Sequence, residues 1–413
     1  MMGFFEVSNR VPAAANQDMK VLAPFLDGQE RYLQIMFRGL TDFLLRDLVK
    51  TGTTVQSLKY AEFEQQPFPL PPLAEQHRIV AKVDELMALC DRLEAARAER
   101  EATRDRLAAA SLARLNAPDP ETFQADARFV LNALPALTTR PDQIKRLRQT
   151  ILNLAVRGKL VPQDPKDEPA SELLKRIAKE KAQLVKAGEI KVRSISSRDR
   201  QEPIIFECPI GWSLTELGEV ALKITDGAHK TPTYVERGVP FVSVKDFSAG
   251  GLDLSSTRFI PEHEHKLLYQ RCDPRRGDIL LGRIGTLGKT VLVDTDVEFS
   301  LFVSVGLIRF DHSFTSPDFF RLLLNSPFVE AEFDRIKIGG GTHTNKLNLG
   351  DLYTVALPLP PLAEQHRIVA KVDALTALCD RLEASLTATA ATRRRLLDAL
   401  LAEALAPAEA TAA

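Results

Sequence analysis

The chain has 413 residues, 45% hydrophobic and 26% charged, with 54 Lys/Arg against 55 Asp/Glu and a net charge of −1. That length holds two or three domains with cores of their own. No apolar run is long enough to span a bilayer and no signal peptide is legible, which excludes an integral helical membrane protein. Four scattered cysteines, Cys90, Cys208, Cys272 and Cys379, form no Cys-x-x-Cys motif. They read as buried thiols of a reducing cytoplasm rather than as disulfides.

In chain order, residues 16–25, NQDMKVLAPF, read as a strand inside a fold rather than the start of one, and residues 32–48 carry apolar pairs at helical spacing. Residues 69–95 then read PLPPLAEQHRIVAKVDELMALCDRLEA, and the same phrase returns at residues 358–384 with changes only at Glu85/Ala374 and Met87/Thr376. The offset is 289 residues, far longer than a solenoid period, so two whole domains are each followed by the same element. The prolines favour an extended entry. Behind them Ile79, Val83, Leu86, Cys90 and Leu93 recur at 4-3-4-3 spacing, as do Ile368, Val372, Leu375, Cys379 and Leu382. That is a seam of period 3.5, which predicts two long helices over residues 73–115 and from residue 362 onward. Neither seam has an evident cover in the sequence, so the two are expected to pair with each other in antiparallel sense.

Between the copies, the prolines of residues 116–140 predict a linker. Residues 141–157 predict a helix with Ile144, Leu147, Ile151, Leu154 and Ala155 on one face and Gly158 as its stop, and Ser171 is placed to cap a helix running to about Lys186. Residues 141–199 hold 14 Lys/Arg against 8 Asp/Glu, a solvated helical face for most of these side chains. From residue 200 to 357 the character changes to prolines, glycines, β-branched runs and aromatics. Strands are predicted at residues 239–244, 278–281, 290–293 and 302–309, and a helix at 317–325.

The repeated phrase resembles the conserved helical region of the specificity (S) subunit of type I restriction-modification systems, and residues 141–186 resemble the segment that precedes a recognition domain in the same family. The resemblance covers most of the chain after about residue 16. It implies an α+β architecture with mixed α/β target-recognition domains, one complete and one partial, separated by long antiparallel coiled-coil helices. The expected divisions are residues 1–68 (partial first recognition domain), 69–115 (first long helix), 116–199 (linker and conserved helical region), 200–357 (second recognition domain) and 358–407 (second long helix). Sliding by 289 lays residues 51–60 over 340–349 without a gap, so residues 1–68 look like the second half of a recognition domain. A matching first unit would begin about 148 residues before Met1.

No catalytic motif is present: neither the Asn/Asp-Pro-Pro-Tyr/Phe element of an amino-methyltransferase nor a phosphate-binding loop of the Gly-x-x-x-x-Gly-Lys-Ser/Thr kind. Residues 282–289, GRIGTLGK, read as a glycine-rich turn between strands, with Arg283 and Lys289 as candidate phosphate contacts. His263 and His265 flank Glu264, but no further ligand sits at zinc spacing. DNA contact is therefore expected from two polar loops that combine turn chemistry with short donors. Residues 224–234, ITDGAHKTPTY, resemble a loop near the start of many recognition domains of the family and offer Thr225, Asp226, His229, Lys230 and Thr231. Residues 339–346, GGGTHTNK, offer Thr342, His343, Thr344, Asn345 and Lys346. Lys245 completes the set. Helix pairing is assigned to Ile79, Val83, Leu86, Leu93, Ile368, Val372, Leu375 and Leu382.

Residues 200–357 carry 17 Lys/Arg and 21 Asp/Glu. Phosphate neutralisation drives non-specific affinity, so this domain alone is expected to bind DNA weakly. The resemblance implies a non-catalytic, cytoplasmic subunit that reads one half of a bipartite double-stranded DNA target with each recognition domain. It implies recruitment of modification subunits that use S-adenosylmethionine and, through them, restriction subunits that use ATP and Mg²⁺, with no cofactor held by this chain. A protein–protein adaptor with a helical spacer is the alternative. A free-standing transcriptional regulator is a third reading, and it lacks a helix-turn-helix pair.

Overall fold

The computed structural model describes residues 20–24, 26–50, 57–117, 119, 121–190, 207–248, 251–285, 287–339 and 345–405. The chain divides into two units, Met1–Arg104 and Asp105–Ala413. In the first, α1 (Glu30–Gly39) and α2 (Thr41–Asp47) lead into a two-stranded ribbon of β1 (Val49–Lys50) and β2 (Ser57–Leu58), then α3 (Tyr60–Glu64) and the 44-residue α4 (Leu73–Asn116), which runs on into the second unit. Tyr32, Met36, Phe37, Leu44, Leu48 and Phe63 form the small core, with Ile79 and Val80 of α4 against it. Residues 20–24 carry no strand, and the remainder of the segment expected as one lies outside the described residues.

The second unit opens with a correction. The proline-bearing segment expected as a linker contains α5 (Phe123–Leu137), because Phe123, Ala127, Val130 and Leu137 recur at helical spacing. They cover Ala108, Leu112 and Leu115 at the end of α4, and Pro135 sits in the last turn. Next come α6 (Pro141–Val156), stopped by Gly158 at φ +64 as its position predicts, and α7 (Ala170–Lys186). Ser171 is not the cap. The Ala170 N–H is held by the Gly211 carbonyl at 2.8 Å, and the helix starts two residues earlier than a Ser171 cap would place it, behind Pro169.

The α+β portion follows: β3 (Ser213–Glu216), α8 (Leu217–Val220), β4 (Ala221–Asp226), β5 (Val239–Val242), β6 (Phe247–Ser248), β7 (Gly251–Leu252), β8 (Arg258–Ile260) and α9 (Glu262–Tyr269). It continues with β9 (Ile279–Gly282), β10 (Thr290–Leu292), β11 (Ser300–Leu301), β12 (Val305–Phe310), α10 (Pro317–Leu324), α11 (Pro327–Ile336), α12 (Leu349–Leu352) and β13 (Ala356–Leu359), and ends in α13 (Leu362–Leu405). An antiparallel sheet, ordered β10-β9-β12-β4, is its spine. Successive strand side chains point to opposite faces. Ile279, Leu281, Ile308 and Phe310 therefore pack with the helices, while Leu280 and Leu307 enter a second cluster with Val242, Phe299 and Leu301. Burial on both faces explains why β9 is an unbroken apolar run. The smaller sheet, β11-β5-β8, lies with this second cluster.

The 289-residue offset holds at the level of elements. It lays α1 and α2 over α10 and α11, the β1–β2 ribbon over the Ile338–Lys346 bridge, α3 over α12 and α4 over α13. Both long helices start with the same lock: Gln76 Nε2 donates to the Pro71 carbonyl at 2.8 Å, and Gln365 Nε2 to that of Pro360 at 3.1 Å.

The helix-pairing expectation assumed two uncovered seams, and that premise fails. Ile368, Val372 and Cys379 are buried in the core beside Ile144 and Ile151 of α6, with Leu147 and Leu375 half-buried alongside. Leu382 is 37% exposed. In the first copy Ile79 and Val80 lie against their own unit's core, Val83 is half-buried, and Leu86 and Leu93 are 49% and 63% exposed. The apolar face of α6 needed cover as much as the seam of α13 did. Cys90 also departs from expectation: it is exposed, whereas Cys272 and Cys379 are buried. Among the described residues no helix is long and apolar enough to cross a membrane.

One polar cluster braces the spine. Arg309 on β12 pairs with Asp278 at 2.7 Å and Asp273 at 3.2 Å, and Lys223, its neighbour on β4, pairs with Asp273 at 2.6 Å. Burial alone would raise the Asp273 carboxyl, but Lys223 and Arg309 outweigh it and hold it at about 2, against an ordinary 3.8. A depressed folded-state value stabilises the fold above the unfolded value, and the contribution fades as pH falls through the folded one. The expected contribution at neutral pH is about 2 kcal/mol. Asp273→Asn should lower the unfolding free energy by about that much at pH 7. The gap to the parent should close as pH falls from 4 towards 2, measured by urea unfolding across that range.

Candidate functional site

Strand β4 ends at Asp226, and the next two residues are pinned. The Gly227 N–H reaches the Val305 carbonyl at 3.3 Å, the Ala228 N–H that of Leu301 at 2.7 Å, and Val303 donates back to Ala228 at 3.0 Å. A Cβ on Gly227 would lie 2.0 Å from the Leu301 oxygen, so only glycine fits this approach. Past the pin, His229, Lys230 and Thr231 are exposed. The loop is regathered where the Thr233 N–H meets Glu264 at 3.2 Å and Arg258 lies over the Tyr234 ring at 4.5 Å.

The second loop is closed at its base by reciprocal backbone bonds between Ile338 and Lys346, both 2.9 Å. Leu347 then donates to the Arg283 carbonyl at 2.9 Å, and the Gly285 N–H reaches Asn345 at 3.4 Å. Arg283 comes from the glycine-rich turn, which joins β9 to β10 as its sequence predicts.

The Arg283 guanidinium ties the two loops together. Its Nε donates to the Leu347 carbonyl at 3.1 Å, and its Nη1 to Asp226 at 2.5 Å and to the Val303 carbonyl at 2.9 Å. Asp226 is 1% exposed and Arg283 7%. Burial pulls Arg283 below the ordinary arginine value, and Asp226 beside it opposes that pull. The other oxygen of Asp226 accepts from Arg271 and lies 3.2 Å from His229 Nε2. Arg271 is itself 3.2 Å from the His229 ring nitrogen and keeps 53% of its side chain exposed.

The thirteen expected contact residues thus divide. His229, Lys230, Thr231, Lys245 and Lys346 are exposed, and Asn345 is half-buried at the loop base. Thr225 lies within β4 opposite Leu307. Asp226 and Arg283 are corrected from contacts to organisers, because a buried side chain that holds the loop bases has no surface to offer a ligand. Lys289 is corrected too: its Nζ is tied to the Phe247 carbonyl at 2.7 Å. Thr342, His343 and Thr344 lie outside the described residues. Sequence reasoning missed Arg271, although RCDPRR (residues 271–276) holds three arginines in six residues. Nothing in the spacing ties that run to Asp226, 45 residues earlier.

A catalytic alternative can be weighed on geometry. His265 Nδ1 lies 2.9 Å from Ser300 Oγ, and its Nε2 lies 3.3 Å from Glu298, in the wall of a cavity of about 360 Å³. The order resembles a nucleophile–base–carboxylate relay. Ser300 has no exposed surface, however, so no substrate reaches its hydroxyl. His263 is exposed while His265 is buried, so this pair does not converge, and the described residues hold no grouping of three potential metal ligands.

A family model described as the type I restriction modification DNA specificity domain matches residues 5–101 and 209–390. The chain belongs to this family. Its two matched stretches are the loop-bearing α+β portion with most of α13, and the first unit with its part of α4. The chain is similar to the type I restriction enzyme EcoAI specificity subunit of Escherichia coli, at 31% identity over 93% of this chain and 66% of the relative. It is also similar to the EcoEI specificity subunit of the same organism, at 33% identity over 83% and 59%. The chain therefore spans less than two thirds of the length of either relative. A chain in a solved structure of a type I R-M system aligns at 20% identity and a TM-score of 0.48, covering 90% of this chain and 69% of its own.

The network predicts unequal costs for its two arginines. Arg283→Met removes the buried partner of a buried carboxylate and should cost about 3 kcal/mol of stability. Arg271→Ala deletes a half-exposed partner and should cost no more than about 1 kcal/mol. Urea unfolding of both variants at neutral pH checks the order.

Proposed function

We propose that the chain is a non-catalytic specificity component of a type I restriction-modification assembly, and that residues 200–357 form the domain that reads double-stranded DNA. The observation that carries this reading is the Arg283–Asp226 clip. It brings two polar loops, far apart in sequence, to one place and fixes their bases, while His229, Lys230, Thr231, Arg271 and Lys346 keep surface to meet a ligand. Rigid bases with short exposed donors suit base-edge readout, in which a misplaced hydrogen bond is a lost one.

The net negative charge of this domain supports a division of labour in which partners complete the grip on the phosphate backbone. Those partners are modification subunits and, through them, restriction subunits, in the cytoplasm. Exposed apolar side chains on the long helices, among them Leu89 and Leu93 on α4 and Leu396 and Leu400 on α13, favour the scaffolding half of the reading.

The test is duplex binding by the chain together with its modification subunit, with each half of the target scrambled in turn. Thr231→Ala and Asn345→Ala should relax base preference by about 1–3 kcal/mol at single positions. Lys346→Ala should weaken all sequences alike and lower the slope of log affinity against log salt by about one. Unchanged sequence preference in both of the first two variants would place the readers elsewhere.

A further inference from the structure

Behind α9 the chain places three arginines within six residues, and two of them are engaged with nearby carboxylates. Arg275 pairs with Asp273 at 2.7 Å, and Arg276 meets Asp296 through two hydrogen bonds, at 2.9 and 2.8 Å. Arg271 instead reaches Asp226 and His229, at the base of the first polar loop. Its backbone is held firmly. The Arg271 and Cys272 N–H groups both reach the Leu268 carbonyl, at 3.1 and 3.0 Å, which closes α9, and Cys272 is buried in the core with Leu280 of β9. The root of the Arg271 side chain is therefore fixed, while 53% of the side chain stays exposed.

A guanidinium carries its N–H donors in one plane, and two parallel ones, on Nη1 and Nη2 or on Nε and Nη2, make a fork. Among the described residues only Nη2 of Arg271 is engaged: it donates to Asp226 Oδ1, and His229 Nε2 lies 3.2 Å from it. The same Nε2 is 3.2 Å from Asp226 Oδ1. A lone pair on Nε2 would face an ionised oxygen, so Nε2 is assigned the hydrogen and donates it to the carboxylate. Nη2 then has one hydrogen on Asp226 and one unused. Whichever of the two the carboxylate takes, the other lies parallel to an N–H of Nη1 or of Nε. One complete fork is left over.

We infer that Arg271 is a specificity-determining residue that reads a guanine, its unused fork donating to O6 and N7 in the major groove of the half-site met by residues 200–357. This rests on the reading of that domain as the one that meets duplex DNA. In the major groove guanine alone offers two acceptors side by side: adenine sets a donor beside its N7, cytosine shows a donor, and thymine has a single acceptor beside a methyl group. A phosphate also accepts a fork, but a phosphate contact asks for little more than a positive charge, which a flexible lysine supplies. Arg271 has the buried carboxylate of Asp226 against it, which offsets part of its charge and fixes its plane. The first effect weakens a phosphate contact, and the second suits a base contact.

The test uses the full chain with its modification subunit and a library of randomised duplexes, sequenced after selection. Arg271→Lys keeps the charge and removes the fork. It should lose an about ten- to hundredfold preference for guanine at one position, with the rest of the motif and the salt dependence unchanged. A second arm needs no variant: 7-deazaguanine, which lacks the N7 acceptor, is placed at each guanine of the parent motif in turn. At one of them it should weaken parent binding about tenfold and leave Arg271→Lys unaffected. A motif without guanine, a motif shared unchanged by parent and variant, or a parent indifferent to every 7-deazaguanine overturns the inference alone. So does a loss spread over the whole motif. An Arg271→Ala chain that binds all sequences equally less well, with the slope of log affinity against log salt lowered by about one, also overturns it, by assigning Arg271 to a phosphate. A parent assembly that enriches no motif overturns the reading of the domain, and the inference with it.

Discussion

A carboxylate with almost no access to water, Asp226, decides how the second unit presents its loops. An ionised group in such a place is costly unless paired and hydrogen-bonded, and Asp226 meets that demand through Arg283, Arg271 and His229. Arg283 is equally demanding, and its remaining donors go to the carbonyls of Leu347 and Val303. Satisfying one buried charge thus draws together the end of β4, the turn after β9, the connection between β11 and β12 and the close of the second loop. The loops are set by electrostatic necessity at their bases, which leaves their tips free to carry whatever polar side chains a target requires.

The same economy governs the spine. A sheet buried on both faces has no room for charge except at its margins, and there Arg309, Lys223, Asp273 and Asp278 satisfy one another. At the edge of the helical layer, Lys181 gives its three donors to the carbonyls of Gly218, Glu219 and Ala221. The basic run between the helices therefore includes at least one side chain that serves the fold and not the solvent.

Duplication without equal cover is the second theme. An apolar seam does not specify its partner; it specifies that a partner of matching spacing will be stabilising. On α13 that partner is α6, distant in sequence, with 235 residues separating Arg148 from Glu383 where they pair, and carrying an apolar face of its own to cover. On α4, among the described residues of its unit, the same seam meets the small core through Ile79 and Val80, while Leu86, Cys90 and Leu93 are exposed. Identical sequence gives different burial because burial belongs to the neighbourhood of a residue and not to the residue. Cys90 and Cys379, exposed and buried at equivalent positions, make the point in a single pair.

By itself the sequence determined the elements whose signal is local. The repeat, both long helices, the α6 face and its glycine stop, the strands β9, β10 and β12 of the spine and the turn between β9 and β10 follow from periodicity, proline and glycine, which act within a few residues, whereas β4 runs into the segment expected as a polar loop. It also pointed to the two polar loops and, through the repeated phrase, to the family. What it could not determine was set at long range. The segment before α6 became a helix because the end of α4 needed cover, Asp226 and Arg283 turned inward because each is the other's counterion, and Arg271 joined them from 45 residues away. Only tertiary structure decided which charged side chains would be neutralised inside and which left to face a ligand, because a charge is buried only where the fold brings it a partner, and partners so distant leave no periodic trace in the chain.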